Sequence, residues 1–202
     1  MSRPEQIRIC ASRATLSLMF LVAVALSFGQ KSAYAGEGQN LCNVEFLPQG
    51  IQSRLKEEYG SWKIQEPANL SKHARERWES EKPLSCPGIA VGYFESVKTR
   101  AYALLLVNKE HPDGGYRFMV FDVKSDQATY EVRLVDKSEQ NRASNYFVLS
   151  APLNRFFDEP SRKKFQAFTV DGILFVDSAE NEYGVEVYFW SGGRYRREEI
   201  DY

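Results

Sequence analysis

The hydrophobic and polar positions of this chain follow two different periods, a helical one before about residue 85 and a strand-like one after Cys86. In the second region, short apolar and aromatic runs alternate with turn-forming residues such as His111–Gly115 and Ser191-Gly192-Gly193. This pattern is typical of consecutive antiparallel hairpins. The predicted strands are Ile89–Phe94, Arg100–Val107, Tyr116–Val123, Thr129–Val135, Tyr146–Leu149, Phe165–Val170, Ile173–Val176, Gly184–Trp190 and Arg194–Glu199.

Two amphipathic segments precede the strands. Residues 51–59 repeat apolar side chains at every fourth position and carry charges on the opposite face. A second helix is predicted from Asn69 or Ser71, either of which can cap it, to Ser80. Between the two helices, Trp62–Ile64 is short, extended and suited to the edge of a sheet.

These elements predict an α+β fold with two N-terminal helices packed on one curved antiparallel sheet of about seven to nine strands. Residues 36–202 are expected to form a single domain, with a helical lead-in over 36–85 and the sheet over 86–202. The run Val185–Trp190 has large apolar side chains on both faces, so it needs cover on both sides. The helices are the expected cover.

Residues 1–35 have the features of a cleaved export signal. Arg3, Arg8 and Arg13 form a positive region, an apolar run follows, and Ala33-Tyr34-Ala35 matches the small-residue cleavage pattern. The apolar core is about a dozen residues long, whereas a membrane span needs roughly 20. We therefore expect a periplasmic or extracellular protein with no membrane segment after cleavage. A retained signal anchor is the alternative.

Two cysteines, Cys42 and Cys86, remain after removal of the predicted signal. An even pair in an exported chain is most simply a disulfide. The bond would close a loop of about 45 residues and contribute roughly 4 kcal/mol in the chain-entropy model. Metal ligation would need further ligands and a nucleophile would need a neighbouring base, and the sequence shows neither pattern.

Charge narrows the range of partners. The whole chain has a formal charge of −1, and cleavage would remove four basic residues and one acid, so the mature chain would carry about −4. Nucleic-acid binding requires clustered Lys and Arg, and no such cluster is present. We expect neither nucleic acid nor an anionic membrane surface as a partner.

Motifs for catalysis or metal binding are not found in the sequence. His73 and His111 lack ligand partners at the spacing of a metal site, and Ser191 lies in a glycine turn without the nucleophile-elbow pattern. The prediction is no catalytic residue, no metal and no cofactor. Carboxylates from distant strands can still converge to cleave a glycan, and this alternative stays open.

Aromatic residues are frequent, at 13% of the chain, and a tyrosine occurs on nearly every predicted strand. Tyrosine combines a large apolar ring with a polar tip, which suits binding surfaces. If several share a face that the helices leave open, they would form an amphipathic surface. The candidate binding residues are Tyr116, Tyr188, Trp190, Tyr195, Arg194 and Arg196.

Together these features favour an exported, non-enzymatic binding protein of the cell envelope or the secreted fraction. An inhibitor, an immunity-type protein or an assembly factor would fit, with another protein or a cell-wall glycan as the partner. The alternative is a hydrolase acting on cell wall or polysaccharide through carboxylates in a sheet cavity.

Overall fold

The computed structural model describes residues 42–81, 85–124, 129–139, 142–155, 163–180 and 183–200. The chain separates into two units, Met1–Gln39 and Asn40–Tyr202, and all the described residues belong to the second. The predicted export signal lies outside the described residues. Within them, no helix combines the length and apolar character that crossing a membrane would require.

The described part of the chain is mostly antiparallel β-structure, as the alternating pattern predicts. Its helices are α1 (Gln49–Glu58) and α2 (Lys72–Glu81), with 3₁₀ turns at Val44–Phe46, Pro67–Asn69, Ala143–Asn145 and Leu153–Arg155. Its strands are β1 (Trp62–Ile64), β2 (Ile89–Gly92), β3 (Ala101–Asn108), β4 (Tyr116–Val123), β5 (Tyr130–Ser138), β6 (Tyr146–Pro152), β7 (Asp171–Ser178), β8 (Tyr183–Ser191) and β9 (Arg194–Ile200).

These nine strands form two sheets, so the prediction of one curved sheet is wrong. In sheet 1, β3 pairs with β4 on one side and with both β1 and β2 on the other, and β5 follows β4. Sheet 2 has the order β6-β7-β8-β9. The strands with two apolar faces did need cover on both sides, and a second sheet supplies much of it.

The predicted strand Phe165–Val170 is also wrong. No strand covers these residues, and β7 begins only at Asp171. The apolar run instead sends the Phe165 ring into the core, where it packs edge-to-face with Phe168 and Phe189 at centroid distances of 5.9 and 5.0 Å. Aromatic residues bury large areas in many backbone conformations, so their frequency alone overstated the strand.

The buried apolar residues form three clusters. The face of sheet 1 that points away from sheet 2 packs with Ile51 and Leu55 of α1. The corresponding outer face of sheet 2 packs with Ala74 and Trp78 of α2. Between the sheets lies a third cluster, whose buried members are Ala90, Phe94, Ala101, Ala103, Leu105, Val107, Phe118, Val120, Ala143, Val148, Ile173 and Phe175, together with Tyr116 and Tyr188.

A disulfide joins Cys42 to Cys86, as predicted, with 5.0 Å between the Cα atoms. Both cysteines are buried. The bond ties the segment before α1 to the turn that leads into β2. On the same side of the molecule, the Val148 N–H of β6 donates to the carbonyl of Pro87, in the turn before β2, at 2.9 Å.

The turn between β8 and β9 confirms the predicted tight hairpin. Gly192 and Gly193 both have positive φ, at +62° and +79°, and Ser191 pairs with Arg194 across them. Two positive φ values in a two-residue loop define the hairpin turn whose twist matches the strands, and glycine adopts it without strain. The turn fixes the register of β9, and with it the side chains that β9 directs toward sheet 1.

Candidate functional site

Polar side chains fill the space between the sheets where β5 faces β8 and β9. Two cavities of about 270 and 250 Å³ lie there, and Arg197 lines both. We call this region the inter-sheet cleft. It is defined by the four tyrosines Tyr116, Tyr146, Tyr188 and Tyr195, by the four carboxylates Asp136, Asp177, Glu186 and Glu199, and by Arg197.

The alternation of side chains along β8 and β9 explains why residues of these two strands line the cleft. On β8, Val187 and Phe189 point to the outer core, so Glu186 and Tyr188 point to sheet 1. The register pairs Tyr188 with Arg197 and Glu186 with Glu199, so the inward face of β9 carries Arg197 and Glu199.

A β-bulge in sheet 1 explains the position of Asp136. The register between β4 and β5 shifts between Phe118 and Met119, whose partners are Asp136 and Leu134. One extra residue, Val135, is accommodated there. Simple alternation would direct Arg133 and Asp136 to opposite faces of the sheet, and the bulge brings both to the inner face.

Asp136 accepts three hydrogen bonds. Its Oδ2 accepts from the Tyr188 hydroxyl at 2.9 Å and from the Tyr116 hydroxyl at 3.0 Å. Its Oδ1 accepts from the backbone N–H of Lys137 at 2.8 Å. Each of these three groups is a donor, and both oxygens of the carboxylate accept. Asp136 therefore joins sheet 1 to sheet 2 through Tyr188.

The Tyr188 hydroxyl stands between two carboxylates. Besides Asp136, it lies 3.2 Å from Oε2 of Glu186. One hydroxyl carries one hydrogen, so it cannot donate to both acids at once. Burial raises the pKa of Tyr188 and of Tyr116, and the negative charge of Asp136 raises both further. Both hydroxyls thus remain protonated donors at neutral pH.

Arg197 is the cation of the cleft. Its Nη1 lies 3.4 Å from Oε1 of Glu186, and its side chain is 57% exposed. The hydrogen bond with Tyr188 raises the pKa of Arg197, and the charge of Glu186 adds to the effect. A loose, exposed pair of this kind contributes at most about 1 kcal/mol.

A second polar cluster lies on the same strand, three residues from Asp136. The Arg133 guanidinium donates to both oxygens of Glu95, at 2.9 and 3.2 Å, and lies 2.7 Å from Glu131. Its carbon lies 4.5 Å from the centre of the Trp190 ring. The Glu95 side chain is only 7% exposed. We call this the arginine cage, because carboxylates and a ring surround the guanidinium.

The cage extends to Tyr195, whose ring packs on Trp190 with 5.1 Å between centroids. Burial raises the pKa of Tyr195, and the neighbouring Glu95 carboxylate raises it further. The Asp122 carboxyl lies on the same side. Its pKa is also raised, first by burial and then by the charge of Glu95.

The structure brings four of the six predicted binding residues together. Tyr116, Tyr188 and Tyr195 line the inter-sheet cleft, and Trp190 belongs to the arginine cage. Tyr116 and Tyr188 as whole residues are 6% and 3% exposed, so they offer their hydroxyl ends rather than an open ring surface.

Arg194 and Arg196 lie elsewhere. Register places them on the outer face of β9, opposite Ser191 and Phe189, and both are exposed. Arg196 lines a different cavity of about 590 Å³, over the rings of Phe165, Phe168 and Phe189. Neither arginine takes part in the cleft.

The charged residues of the cleft are not among the residues predicted from the sequence. Strict alternation from Tyr188 and Tyr195 would have identified Glu186, Arg197 and Glu199 as residues of the same face. Asp136 had no such signal, because its inward position depends on the bulge.

The charged groups do not form a metal centre. In the parts of the chain that the structure describes, no set of three or more His, Cys, Asp or Glu side chains is arranged to hold a metal ion. His73 and His111, the histidines considered from the sequence, are both exposed.

The chain was compared with protein-family models, with curated proteins and with solved structures, and no match was found in any of the three comparisons.

Proposed function

We propose that the protein is an exported, non-enzymatic binding protein of the cell envelope or the secreted fraction, and that the inter-sheet cleft holds its ligand. The features of residues 1–35 support export. The Cys42–Cys86 disulfide agrees with an oxidising compartment.

The cleft itself carries the proposal. Two adjoining cavities share Arg197, and convergent polar groups from both sheets line them. A concave site with aromatic walls and a few oriented polar groups is the usual form of a ligand site. The two cavities are smaller than the roughly 300–1,000 Å³ of sites for drug-sized molecules, so they fit a single small polar group.

Hydrogen bonding favours binding over catalysis. A general acid must hold a proton and deliver it to the substrate. Asp136 instead accepts hydrogen bonds from Tyr116, Tyr188 and the Lys137 amide. Glu186 faces a donor as well, because the Arg197 Nη1 lies 3.4 Å from its Oε1. Both groups are arranged as fixed acceptors.

A glycan hydrolase is the second candidate, and one observation favours it. Asp136 and Glu186 both contact the Tyr188 hydroxyl, at 2.9 and 3.2 Å. Two carboxylates bridged by one hydroxyl are separated by about 6 Å at most, and glycosidases place their pair roughly 5–9.5 Å apart. The pair in the cleft overlaps the lower part of that range.

One NMR experiment separates the two functions. The ¹⁵N-labelled protein, with its disulfide intact, is titrated with small amines, carboxylic acids, neutral alcohols and soluble cell-wall oligosaccharides, and each mixture is followed for product over a day. Binding without turnover predicts saturable shifts of the amides of Asp136, Glu186, Tyr188 and Arg197, with every compound recovered intact. Cleavage of an oligosaccharide, abolished in Asp136→Asn, would establish the hydrolase instead.

A matched pair of variants keeps the result specific. Tyr188→Phe removes a hydroxyl from the cleft, and Tyr102→Phe removes one from the outer face of sheet 1. The proposed function predicts that Tyr188→Phe weakens the binding that Tyr102→Phe leaves unchanged. If no compound class shifts the cleft amides at millimolar concentration, the cleft is not the ligand site.

A further inference from the structure

We propose that the inter-sheet cleft selects an organic cation, a ligand group that is an alkylammonium or a guanidinium. This inference rests on the proposed function, because it specifies the chemistry of the ligand that the cleft holds. Four features of the described residues carry it: the recurrent way in which this protein holds its own arginines, the supply of donors and acceptors in the cleft, the register of its acids, and its size.

The protein repeatedly surrounds a guanidinium with a carboxylate and an aromatic ring. The distance from the guanidinium carbon to the ring centre is 4.5–4.7 Å in each of three cases. Carboxylates and π faces both attract cations, and together they recognise ligand cations as well as side chains. The three sets are Arg77 with Tyr183 and Glu81, Arg117 with Trp62 and Glu139, and Arg133 with Trp190, Glu95 and Glu131.

The cleft also combines aromatic rings with carboxylates, but it has fewer cationic groups to pair with them. Tyrosine rings and carboxylates line it, but Arg197 is the one cation among the residues that line its cavities. In the three arginine sets the closest nitrogen–oxygen distances are 2.6–2.8 Å. Arg197 lies 3.4 Å from Glu186 and is more than half exposed, so it neutralises the cleft only loosely.

The tyrosine hydroxyls supply few hydrogen-bond donors to the carboxylates of the cleft, and its other side-chain donors belong to Arg197. Asp136 takes up the hydroxyls of Tyr116 and Tyr188. Glu186 then competes for the single hydrogen of Tyr188, which it contacts at the longer distance of 3.2 Å. A ligand with several N–H groups would donate to these carboxylates, whereas an anionic ligand would place further negative charge beside them.

The sheet register places two acids directly opposite each other. Glu186 of β8 pairs with Glu199 of β9 on the inner face, and both line the larger cavity of the cleft. Like charges at directly paired positions destabilise a sheet. Arg197 offsets part of this repulsion through its contact with Glu186, and a ligand cation beside Glu199 would offset the rest.

The size of the larger cavity limits the ligand. Its volume of about 270 Å³ suits one small group against Tyr116, Tyr146 and Phe175. Those three rings pack with one another at 5.2–5.3 Å. Tyr116 and Phe175 are buried, so the cavity offers a ligand mainly the polar ends of its lining, and the charged end of the ligand would lie at Glu186 and Glu199.

The test compares probes that share a shape and differ in charge. Butylguanidinium and pentylammonium are titrated into the ¹⁵N-labelled protein, beside pentanol as the neutral analogue and pentanoate as the anionic one. We expect the cations to shift the amides of Glu186, Arg197 and Glu199 and to bind at least tenfold more tightly than pentanol. Pentanoate should leave these amides unchanged, and added salt should weaken cation binding.

Two adjacent residues provide matched variants. Glu199 faces the cleft, and Glu198 lies on the opposite face of β9, where it pairs with Lys164. Glu199→Gln is expected to weaken butylguanidinium binding about tenfold, and Glu198→Gln less than twofold. Both variants keep the size of the side chain and lose one negative charge. A difference between them therefore reflects the position of the carboxylate and not the net charge of the protein.

The outcomes separate this inference from the proposed function. If pentanol or pentanoate binds in the cleft as tightly as the cations, the cation inference is overturned and the cleft remains a ligand site. If no probe of any charge shifts the cleft amides, both fail. Loss of cation binding in Glu199→Gln alone supports both.

The source of the cation is resolved by a second pair of probes. Butylguanidinium represents a free small molecule, and the peptide Gly-Gly-Arg-Gly-Gly, with blocked ends, represents a partner's side chain. Tighter binding of the peptide assigns the cleft to an arginine of a partner protein, and tighter binding of the free cation assigns it to a metabolite-sized amine. If neither butylguanidinium nor the peptide binds in the cleft, the inference is overturned.

Discussion

The arginine cage and the inter-sheet cleft lie on the same face of β5. Both hold carboxylates between the two sheets, but these carboxylates have different partners. In the cage, Arg133 contacts Glu95 and Glu131 and stacks on Trp190. In the cleft, Asp136 draws on two tyrosine hydroxyls, and Glu186 has the loosely held Arg197. The cage is completed by the chain's own cation, while the cleft retains cavities and a loosely paired carboxylate. We propose that charged residues between the two sheets serve stability where an arginine of the chain pairs them closely, as at Glu95, and that they serve binding where the pairing is loose, as at Glu186.

The largest expected effect comes from breaking the cage. Arg133→Met leaves the Glu95 carboxylate, 7% exposed, without its bidentate partner. Removing one member of a buried pair costs about 3 kcal/mol or more. We expect the free energy of unfolding in urea to fall by about 3 kcal/mol with an unchanged m-value.

Two further variants check that the cause is the unpaired carboxylate. Arg133→Met combined with Glu95→Leu should recover much of the loss, because it removes both charges. Arg197→Met, at the exposed cation of the cleft, should cost less than about 1 kcal/mol. Equal losses for Arg133→Met and Arg197→Met would contradict the distinction between the two clusters.

An intermediate loss of stability is expected when the hydrogen bond between the two sheets is removed. Tyr188→Phe removes the hydroxyl that donates to Asp136 at 2.9 Å. A hydrogen bond to a charged group contributes about 1.5–3 kcal/mol, so thermal or urea unfolding should show a loss of about 1.5 kcal/mol. Tyr102→Phe, on the outer face of sheet 1, should change stability by less than half of that. The reverse order would mean that Asp136 does not join the sheets.

A smaller effect of opposite sign is expected from Glu199→Gln. The change removes one of two like charges at paired positions of β8 and β9. Relief of this repulsion should raise the free energy of unfolding by about 0.5 kcal/mol at low salt and by less at high salt. A loss of stability would show that Glu199 has a favourable partner and that the cleft is already complete.

The smallest expected effect is on the pH dependence of stability, through Asp122 beside the cage. Burial and the charge of Glu95 raise the pKa of Asp122 above its ordinary 3.8, so the folded protein binds this proton more tightly than the unfolded chain. The resulting stability is present below pH 3.8 and is lost as the pH rises through the folded pKa. Asp122→Asn should therefore be more stable than the natural protein at pH 7. The difference should disappear below pH 3.8, and a gain that persists there would have another cause.

The sequence predicted the strands better than their arrangement. Alternation and turn residues located most strands within a few residues, and Tyr116–Val123 matched in full. The division into two sheets could not be predicted, because it depends on where the chain crosses after β5. Apolar cover for Val185–Trp190 was required, but either helices or a second sheet satisfies that requirement.

The site was predicted in part for the same reason. Tyr116, Tyr188 and Tyr195 were identified as candidates because they are aromatic residues on strands. The acids around them were missed because they come from different sheets, and Asp136 faces inward only through a bulge that neither composition nor periodicity reveals. Local pattern fixes which side chains share a strand face, whereas sheet packing decides which faces meet.

The most direct test measures stability and affinity on the same sample of Glu199→Gln. The comparison of cage and cleft predicts that this variant unfolds at the same or a higher urea concentration than the natural protein, while its affinity for butylguanidinium falls about tenfold. A variant with lower stability and unchanged affinity would contradict it, because Glu199 would then serve the fold and not a ligand.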